Sequence, residues 1–322
     1  MKPRILITEQ GAYPTVELDR LSEVFEVHRL TPSSQAEFSS ALQEVNPLVL
    51  LVGLGLAVGT DEVAGSSELR FVVSPTTGTD HLQTSELGLR GIRVITLHDM
   101  YDQLKGISST AELAWGLILC LARRIVPAVN SVSRGEWHRE RFLGRQLRNK
   151  TLGVIGLGRL GRFVAEYGSA FGMNVLAVDP ARQRPDSIAK LVRLPELLNE
   201  ADIVSLHVPL NGKTAGLIGA NEIQTMKAGA LLVNTSRGDV VDEDAVAAAL
   251  RDGHLGGYGT DVLSGDSGWG GAVQSNPLTK LMATGYNIVV TPHIGGYSSE
   301  AVSHTRKLVI DYILALQVDT AP

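Results

Sequence analysis

The sequence predicts an α/β protein of doubly wound parallel sheets, and three observations carry that prediction. Short apolar runs alternate with polar, helix-like stretches from the N-terminus to about residue 100, the rhythm of parallel strands joined by crossover helices. A second series of the same kind begins at Thr151 and runs at once into a glycine-rich turn. Hydrophobic residues make up 44% of 322 residues, enough for about two packed cores on the usual length prior.

In chain order, the runs that read as buried strands are Arg4-Ile5-Leu6-Ile7, Pro47 to Val52, Phe71-Val72-Val73 and Ile92 to Ile95. Residues 103–126 read as one long helix, with Leu113, Leu117, Leu121 and Ile125 at four-residue spacing. Residues 134–150 are rich in arginine and carry Trp137, which predicts a loop or arm. The second series supplies strands at Leu152–Ile155, Val175–Val178, Ile203–Leu206, Ala230–Val233 and Ile288–Val290. Asp242 is placed to cap a helix through Arg251 that Gly253 ends. From Ser299 an amphipathic helix presents Val302, Leu308, Val309, Tyr312, Ile313 and Leu316.

Charge and cysteine content narrow the partners. Lys+Arg total 29 against Asp+Glu 34, a formal charge of -5, which disfavours a nucleic-acid surface. The one cysteine, Cys120, excludes an intramolecular disulfide and a cysteine-based zinc cluster. The N-terminus reads as a strand rather than a signal peptide, and the apolar stretch Ala111 to Ala122 is too short to cross a bilayer. A cytoplasmic protein, with neither membrane nor nucleic acid as partner, is the expectation. No His-x-x-x-His helix offers a metal site and no Gly-x-Ser-x-Gly offers a nucleophile elbow.

Gly156-Leu157-Gly158-Arg159-Leu160-Gly161 is a G-x-G-x-x-G run entered by a strand and left by a helical stretch. Asp179 closes the next strand, so the unit reads as a dinucleotide-binding βαβ. The first glycine allows the tight turn, the second the approach of pyrophosphate, and the third close helix–strand packing. Helix N-terminal amides face the phosphates. Asp179 is placed to accept the adenosine ribose hydroxyls, which favours NAD; Arg182 and Arg184 are the residues that would instead hold the 2′-phosphate of NADP.

Ligands of open parallel sheets sit outside the carboxyl ends of the strands. Those ends carry His207-Val208-Pro209, then Asn234-Thr235-Ser236-Arg237-Gly238, then Gly259-Thr260-Asp261, then Thr291-Pro292-His293-Ile294-Gly295-Gly296. An arginine, a carboxylate and a histidine beside a nicotinamide suit a 2-hydroxy acid. The guanidinium binds a carboxylate bidentately and the imidazole moves the hydroxyl proton. His207 reads as lining the cofactor. The remaining histidines read as loop or surface residues, with His81 set apart by the Gly-Thr-Asp turn before it.

These pieces resemble the D-isomer-specific 2-hydroxyacid dehydrogenase family, over nearly the whole chain and most strongly from Asn149 to His293. The resemblance implies a homodimer of two Rossmann-like domains, with the cofactor domain (103–293) inserted into a substrate domain (1–102 and 294–322). It implies NAD-dependent hydride transfer between nicotinamide and a D-2-hydroxy or 2-keto acid, with a phosphorylated, 3-phosphoglycerate-like acid among the candidates. Arg237 would bind the substrate carboxylate and keto oxygen, and His293 would be the acid/base. Backbone amides of Thr77 and Gly78, in the turn Thr76 to Asp80, would cradle the carboxylate. The cofactor set would be Gly156, Gly158, Arg159, Leu160, Gly161, Asp179, His207, Val208, Pro209, Thr214, Thr235, Asp261, Gly295 and Gly296. Two departures stand out. Asp266 occupies the position where the family usually has a histidine-pairing glutamate, and Ser267 to Tyr286 is long and glycine-rich, either a reshaped pocket mouth or a lengthened surface loop. The equivalent of the arginine-rich arm lies at the family's dimer interface; Arg134, His138, Arg139, Arg141, Arg145 and Arg148 make it locally basic, and its charges are either solvated or include one or more arginines that bind a distal anionic group. The length also leaves no room for the regulatory domain of longer phosphoglycerate dehydrogenases. A second reading, an NAD(H)-sensing binding protein with little turnover, follows from the shorter Asp266.

Overall fold

The computed structural model describes residues 1–9, 13–182, 187–265, 273 and 275–316. The chain divides into two compact units: one holds Met1–Ile107 with the C-terminal segment from Ser298, the other Ser108 through Tyr297 apart from part of the 266–272 stretch.

The first unit is a five-stranded sheet of β1 (Arg4–Ile7), β2 (Glu26–Arg29), β3 (Val49–Leu51), β4 (Phe71–Ser74) and β5 (Arg93–Thr96). Every pairing is parallel and the order is β2-β1-β3-β4-β5. That is a doubly wound order with its switch point between β1 and β3. One face is covered by α1 (Thr15–Val24) and the C-terminal helix Ser299–Ala315, through Leu21, Phe25, Val309, Ile310 and Ile313. The other is covered by α2 (Gln35–Val45) and α3 (Thr84–Leu89), through Phe38, Leu42 and Leu87. Both faces are covered, so the inner strands β1, β3 and β4 are nearly continuous apolar runs. The C-terminal helix starts where Ser298 Oγ accepts the Ala301 N–H at 3.2 Å, the usual N-cap bond.

The second unit is a seven-stranded parallel sheet: β6 (Thr151–Ile155), β7 (Asn174–Val178), β8 (Lys190–Leu191), β9 (Ile203–Leu206), β10 (Ala230–Asn234), β11 (Leu255–Thr260) and β12 (Ile288–Val290). Its order, β12-β11-β10-β9-β6-β7-β8, reverses between β6 and β9. Successive side chains point to opposite faces. Val154 and Val233 therefore meet α4 (Ser109–Arg123) and α6 (Arg159–Ala170), while Ile155 and Leu232 meet α7 (Leu194–Glu200), α8 (Ala220–Thr225) and α9 (Glu243–Arg251). Asp242 Oδ1 caps α9 by accepting the Ala245 N–H at 3.0 Å.

Four local expectations differ from what is observed. The single helix over 103–126 is broken: a 3₁₀ segment ends at Leu104, α4 begins at Ser109, and Arg124 at φ 53° separates α4 from α5 (Ile125–Ser133). The break falls where one unit gives way to the other. Two short edge strands, β2 and β8, carry exposed polar residues and too little apolar pattern to be read as strands. β11, Leu-Gly-Gly-Tyr-Gly-Thr, is glycine-rich because its neighbours come too close for a Cβ: one at Gly257 would lie 2.5 Å from Asn287 Nδ2, and one at Gly259 3.1 Å from Leu121 Cδ1. Within the stretch expected as a loop, Pro277–Ala283 is a helix that Asn276 caps, with Leu278 and Leu281 buried. No single helix among the described residues is long and apolar enough to cross a membrane.

Candidate active site

The turn after β6 is made by Gly156 at φ +92°, with its N–H on Val178 O at 2.8 Å. A side chain there would strike His207 O at 2.4 Å, and one at Gly161 would strike Gly156 O at 1.9 Å. The first and third glycines are therefore demanded by the protein's own backbone. Gly158 is different: it is exposed, and no protein atom lies within 4 Å of a Cβ built there. Packing does not require that glycine, whereas a pyrophosphate lying on the backbone does. Arg159 and Leu160 form the first turn of α6, whose outward N–H groups complete the cradle.

Asp179 follows β7 and is tied down at both oxygens, accepting Leu157 N–H at 3.0 Å and Ala181 N–H at 2.9 Å. A carboxylate has about four acceptor positions, so capacity remains for ribose hydroxyls. Arg182 Nε stands 3.9 Å from it; Arg184 lies outside the described residues.

After β9, His207 donates its backbone N–H to Ile155 O at 2.8 Å and its Nε2 pairs with Ser205 Oγ at 2.8 Å. His207 is partly buried, and desolvation pulls its pKa from 6.5 to about 4. The imidazole is thus neutral at pH 7. Val208 packs by the Gly156 turn and Pro209 is exposed. Thr214 Oγ1 donates to Pro209 O at 2.5 Å and accepts Asn211 N–H at 2.9 Å, so its hydroxyl closes its own loop.

The ends of β10, β11 and β12 are hydrogen-bonded to one another in register, Asn234 beside Thr260 and Thr260 beside Val290. Asn234, fully buried, accepts from Ser236 N–H at 3.0 Å and Ser236 Oγ at 2.7 Å, and its Nδ2 donates to Arg237 O at 2.8 Å. These bonds fold Asn234 to Arg237 into one tight turn. A Cβ at Gly238 would lie 2.1 Å from the Leu263 carbonyl carbon, so the turn must exit through glycine. Thr235 Oγ1 is buried without a hydrogen-bond partner among the described residues, which fits a polar group supplied by a bound cofactor.

Asp261 is 2% exposed, and its carboxylate receives three donors: Thr291 Oγ1 at 2.6 Å, Ile294 N–H at 2.9 Å and Gly295 N–H at 2.7 Å. Its backbone carbonyl accepts the His293 N–H at 3.0 Å, and its own N–H donates to Asn234 O at 3.0 Å. Burial raises its pKa, and the Thr291, Ile294 and Gly295 bonds oppose that rise. His293 stands at φ 55°, the left-handed region that costs a non-glycine residue of order 1–3 kcal/mol and persists only where surroundings impose it. Gly295 is required here, because a Cβ would lie 2.9 Å from Asp261 Oδ2; Gly296 is exposed. Asp266 lies outside the described residues, as does most of the Ser267 to Gln274 stretch.

In the other unit, Thr77 and Gly78 stand in the turn after β4, which Leu97 N–H ties down at Thr76 O (2.9 Å) and Thr76 Oγ1 at Gly78 O (2.9 Å). In the arm, Arg141 pairs with Glu136 at 2.8 Å, Arg134 with Glu136 at 3.5 Å and Arg139 with Glu140 at 3.3 Å. Sequence reasoning assigned no role to Asn234, Thr291 or Ser205. A polar residue within or just past the carboxyl end of a buried strand was the available signal.

A family model described as "D-isomer specific 2-hydroxyacid dehydrogenase, NAD binding domain" matches residues 115–295. The chain is 34% identical over 314 residues to the D-3-phosphoglycerate dehydrogenase of Methanocaldococcus jannaschii, covering 96% of this chain but only 56% of that protein. It is 33% identical over 333 residues to the glyoxylate reductase of Korarchaeum cryptofilum, covering 100% of this chain and 95% of that one. Among solved structures it superposes on the D-lactate dehydrogenase of Aquifex aeolicus complexed with NAD and lactic acid, with a TM-score of 0.82, 26% identity and coverage of 97% and 94%.

Two predictions follow from this geometry. Gly158→Ala leaves the melting temperature unchanged and weakens NADH binding about tenfold or more, ~1.4 kcal/mol, whereas Gly161→Ala lowers the melting temperature; fluorescence titration and thermal melts read both. The second concerns His207. Its lowered pKa means the unfolded state binds the extra proton, so folding stability declines as pH falls from 6.5 towards 4. Urea unfolding across that window is expected to show a loss of at most about 3 kcal/mol, diminished in His207→Asn.

Proposed function

The chain belongs to the D-isomer specific 2-hydroxyacid dehydrogenase family and is an NAD-dependent oxidoreductase, and we propose that it interconverts short, unphosphorylated 2-keto acids and their D-2-hydroxy acids. The observation that carries this reading is the set of three successive strand ends bearing Arg237, Asp261 and His293 on one hydrogen-bonded frame. The nicotinamide, when bound, supplies or takes the hydride at C2. Arg237 holds the substrate carboxylate and keto oxygen, and the positive guanidinium draws charge onto that oxygen as hydride arrives. His293 delivers the proton that turns the oxygen into a hydroxyl, and removes it in the reverse direction. Within the Met1–Ile107 unit, read as the substrate domain, the backbone amides of Thr77 and Gly78 are the donors assigned to a carboxylate.

Asp179 supports preference for the unphosphorylated ribose of NAD, since a carboxylate repels a 2′-phosphate. An unphosphorylated substrate goes with the arm, where Arg134, Arg139 and Arg141 already face Glu136 or Glu140. The same region supports a second copy of this chain as partner. Ile125, Val129 and Val132 follow helical spacing on α5 and are 42%, 60% and 52% exposed, with Trp137 and Leu143 exposed beyond them. The nicotinamide cofactor and the single cysteine, Cys120, go with a cytoplasmic location.

The test is NADH oxidation on the purified protein with glyoxylate, hydroxypyruvate, pyruvate and phosphohydroxypyruvate, with NADPH run in parallel. The expected result is turnover of the unphosphorylated acids with NADH, and in Arg237→Ala a kcat/KM lower by roughly ten- to a hundredfold. A clear preference for the phosphorylated acid would reverse the substrate assignment. Silence across the panel with NADH still bound would make the protein a cofactor-binding sensor.

A further inference from the structure

His81 is 5% exposed, and the proposed reaction makes no use of it. It stands just past the carboxylate turn, and its Nε2 lies 3.2 Å from Ser74 Oγ. Ser74 Oγ in turn lies 3.0 Å from Thr76 Oγ1, and Thr76 Oγ1 donates to Gly78 O at 2.9 Å.

The direction of every proton in this chain is determined. A hydroxyl has one hydrogen to give. Thr76 spends its hydrogen on Gly78 O, so at the Ser74 contact it can only accept. Ser74 therefore spends its own hydrogen on Thr76 and must accept from His81. Nε2 of His81 consequently carries a proton, whatever Nδ1 carries. The chain runs His81 Nε2–H to Ser74 O–H to Thr76 O–H to the carbonyl of Gly78. Such a one-way chain polarises each successive bond. Its far end sets the orientation of the peptide after Gly78, in the turn whose amides are assigned to the substrate carboxylate. The backbone on either side is anchored as well, with Val58 N–H on His81 O at 2.8 Å and Leu82 N–H on Thr79 O at 2.8 Å.

We propose that His81 is a positioning residue for substrate: through Ser74 and Thr76 it holds the Thr77–Gly78 turn in the geometry that receives a 2-keto acid carboxylate. The inference rests on the reading of that turn as the carboxylate site. It requires His81 as a hydrogen-bond donor at Nε2, not as an acid or base. The side chain that preserves this donor at the same reach is glutamine; leucine fills the space without it.

Steady-state kinetics with glyoxylate, and NADH titration by fluorescence, compare His81→Gln, His81→Leu, Thr76→Val, Gly78→Pro and Arg237→Ala. His81→Leu and Thr76→Val are expected to raise the KM for the keto acid by about tenfold, ~1.4 kcal/mol, with kcat within about twofold and NADH affinity unchanged. His81→Gln is expected to restore the wild-type KM. A KM unchanged in Thr76→Val, or raised equally in His81→Gln and His81→Leu, overturns the proposal; Thr76→Val carries the test if His81→Leu does not fold. If Arg237→Ala lowers kcat/KM for glyoxylate while Thr76→Val and Gly78→Pro, which removes the Gly78 N–H, both leave it unchanged, the reading of the turn as the carboxylate site is what fails.

Discussion

A buried carboxylate that must be surrounded by donors is the constraint on which the site depends. Asp261 takes three hydrogen bonds from the loop that carries His293, and a fourth joins its carbonyl to the His293 N–H. Each donor offsets part of the cost of burying the charge, and each also fixes one point of the loop. The left-handed backbone of His293 is sustained by those contacts. Because the Asp261 N–H reaches Asn234 O, and the Asn234 side chain shapes the turn of Arg237, the guanidinium and the imidazole are set from one rigid frame. In the proposed reaction, preorganisation of this kind would spare the entropy of assembling the groups.

The half of the molecule that binds dinucleotide was largely legible. A glycine spacing between a strand and a helix, with an aspartate one strand later, has few physical meanings. Gly156 and Gly161 prove to be sterically forced, whereas no protein atom crowds Gly158. The polar residues after β9 through β12 were legible because every strand is parallel, so every carboxyl end falls on one edge. What a linear reading cannot supply is which of those residues bond to each other. Asp261 was expected beside the nicotinamide, and its grip on Thr291, Ile294 and Gly295 became apparent only in three dimensions.

Other misses have local physical reasons. Of β11 only the end, Gly259-Thr260-Asp261, was legible, because the glycines before it answer to the close approach of Asn287 and Leu121, not to strand propensity. The helix Pro277–Ala283 carried its signal openly, an asparagine cap followed by proline, but glycine-rich surroundings suggested a loop. The apolar spacing from Leu113 to Ile125 runs on across Arg124, because periodicity does not register a left-handed residue between two helices, and it says nothing of the separate 3₁₀ segment that ends at Leu104. His81 was grouped with loop and surface histidines, set apart only by the turn before it; its burial depends on β4, its neighbour turn and Val58 arriving together.

The most direct test of the account is the kcat/KM of Asp261→Asn for keto-acid reduction, followed across pH with NADH. Asparagine keeps the size of aspartate but offers one acceptor oxygen, and turns its amide towards the Thr291–Ile294 pair or the Gly295 N–H. The predicted result is a loss on the order of ten- to a hundredfold at every pH, with a displaced pH profile for proton transfer. Activity within about twofold of wild type, with the profile unmoved, would contradict the claim that this carboxylate holds the catalytic loop.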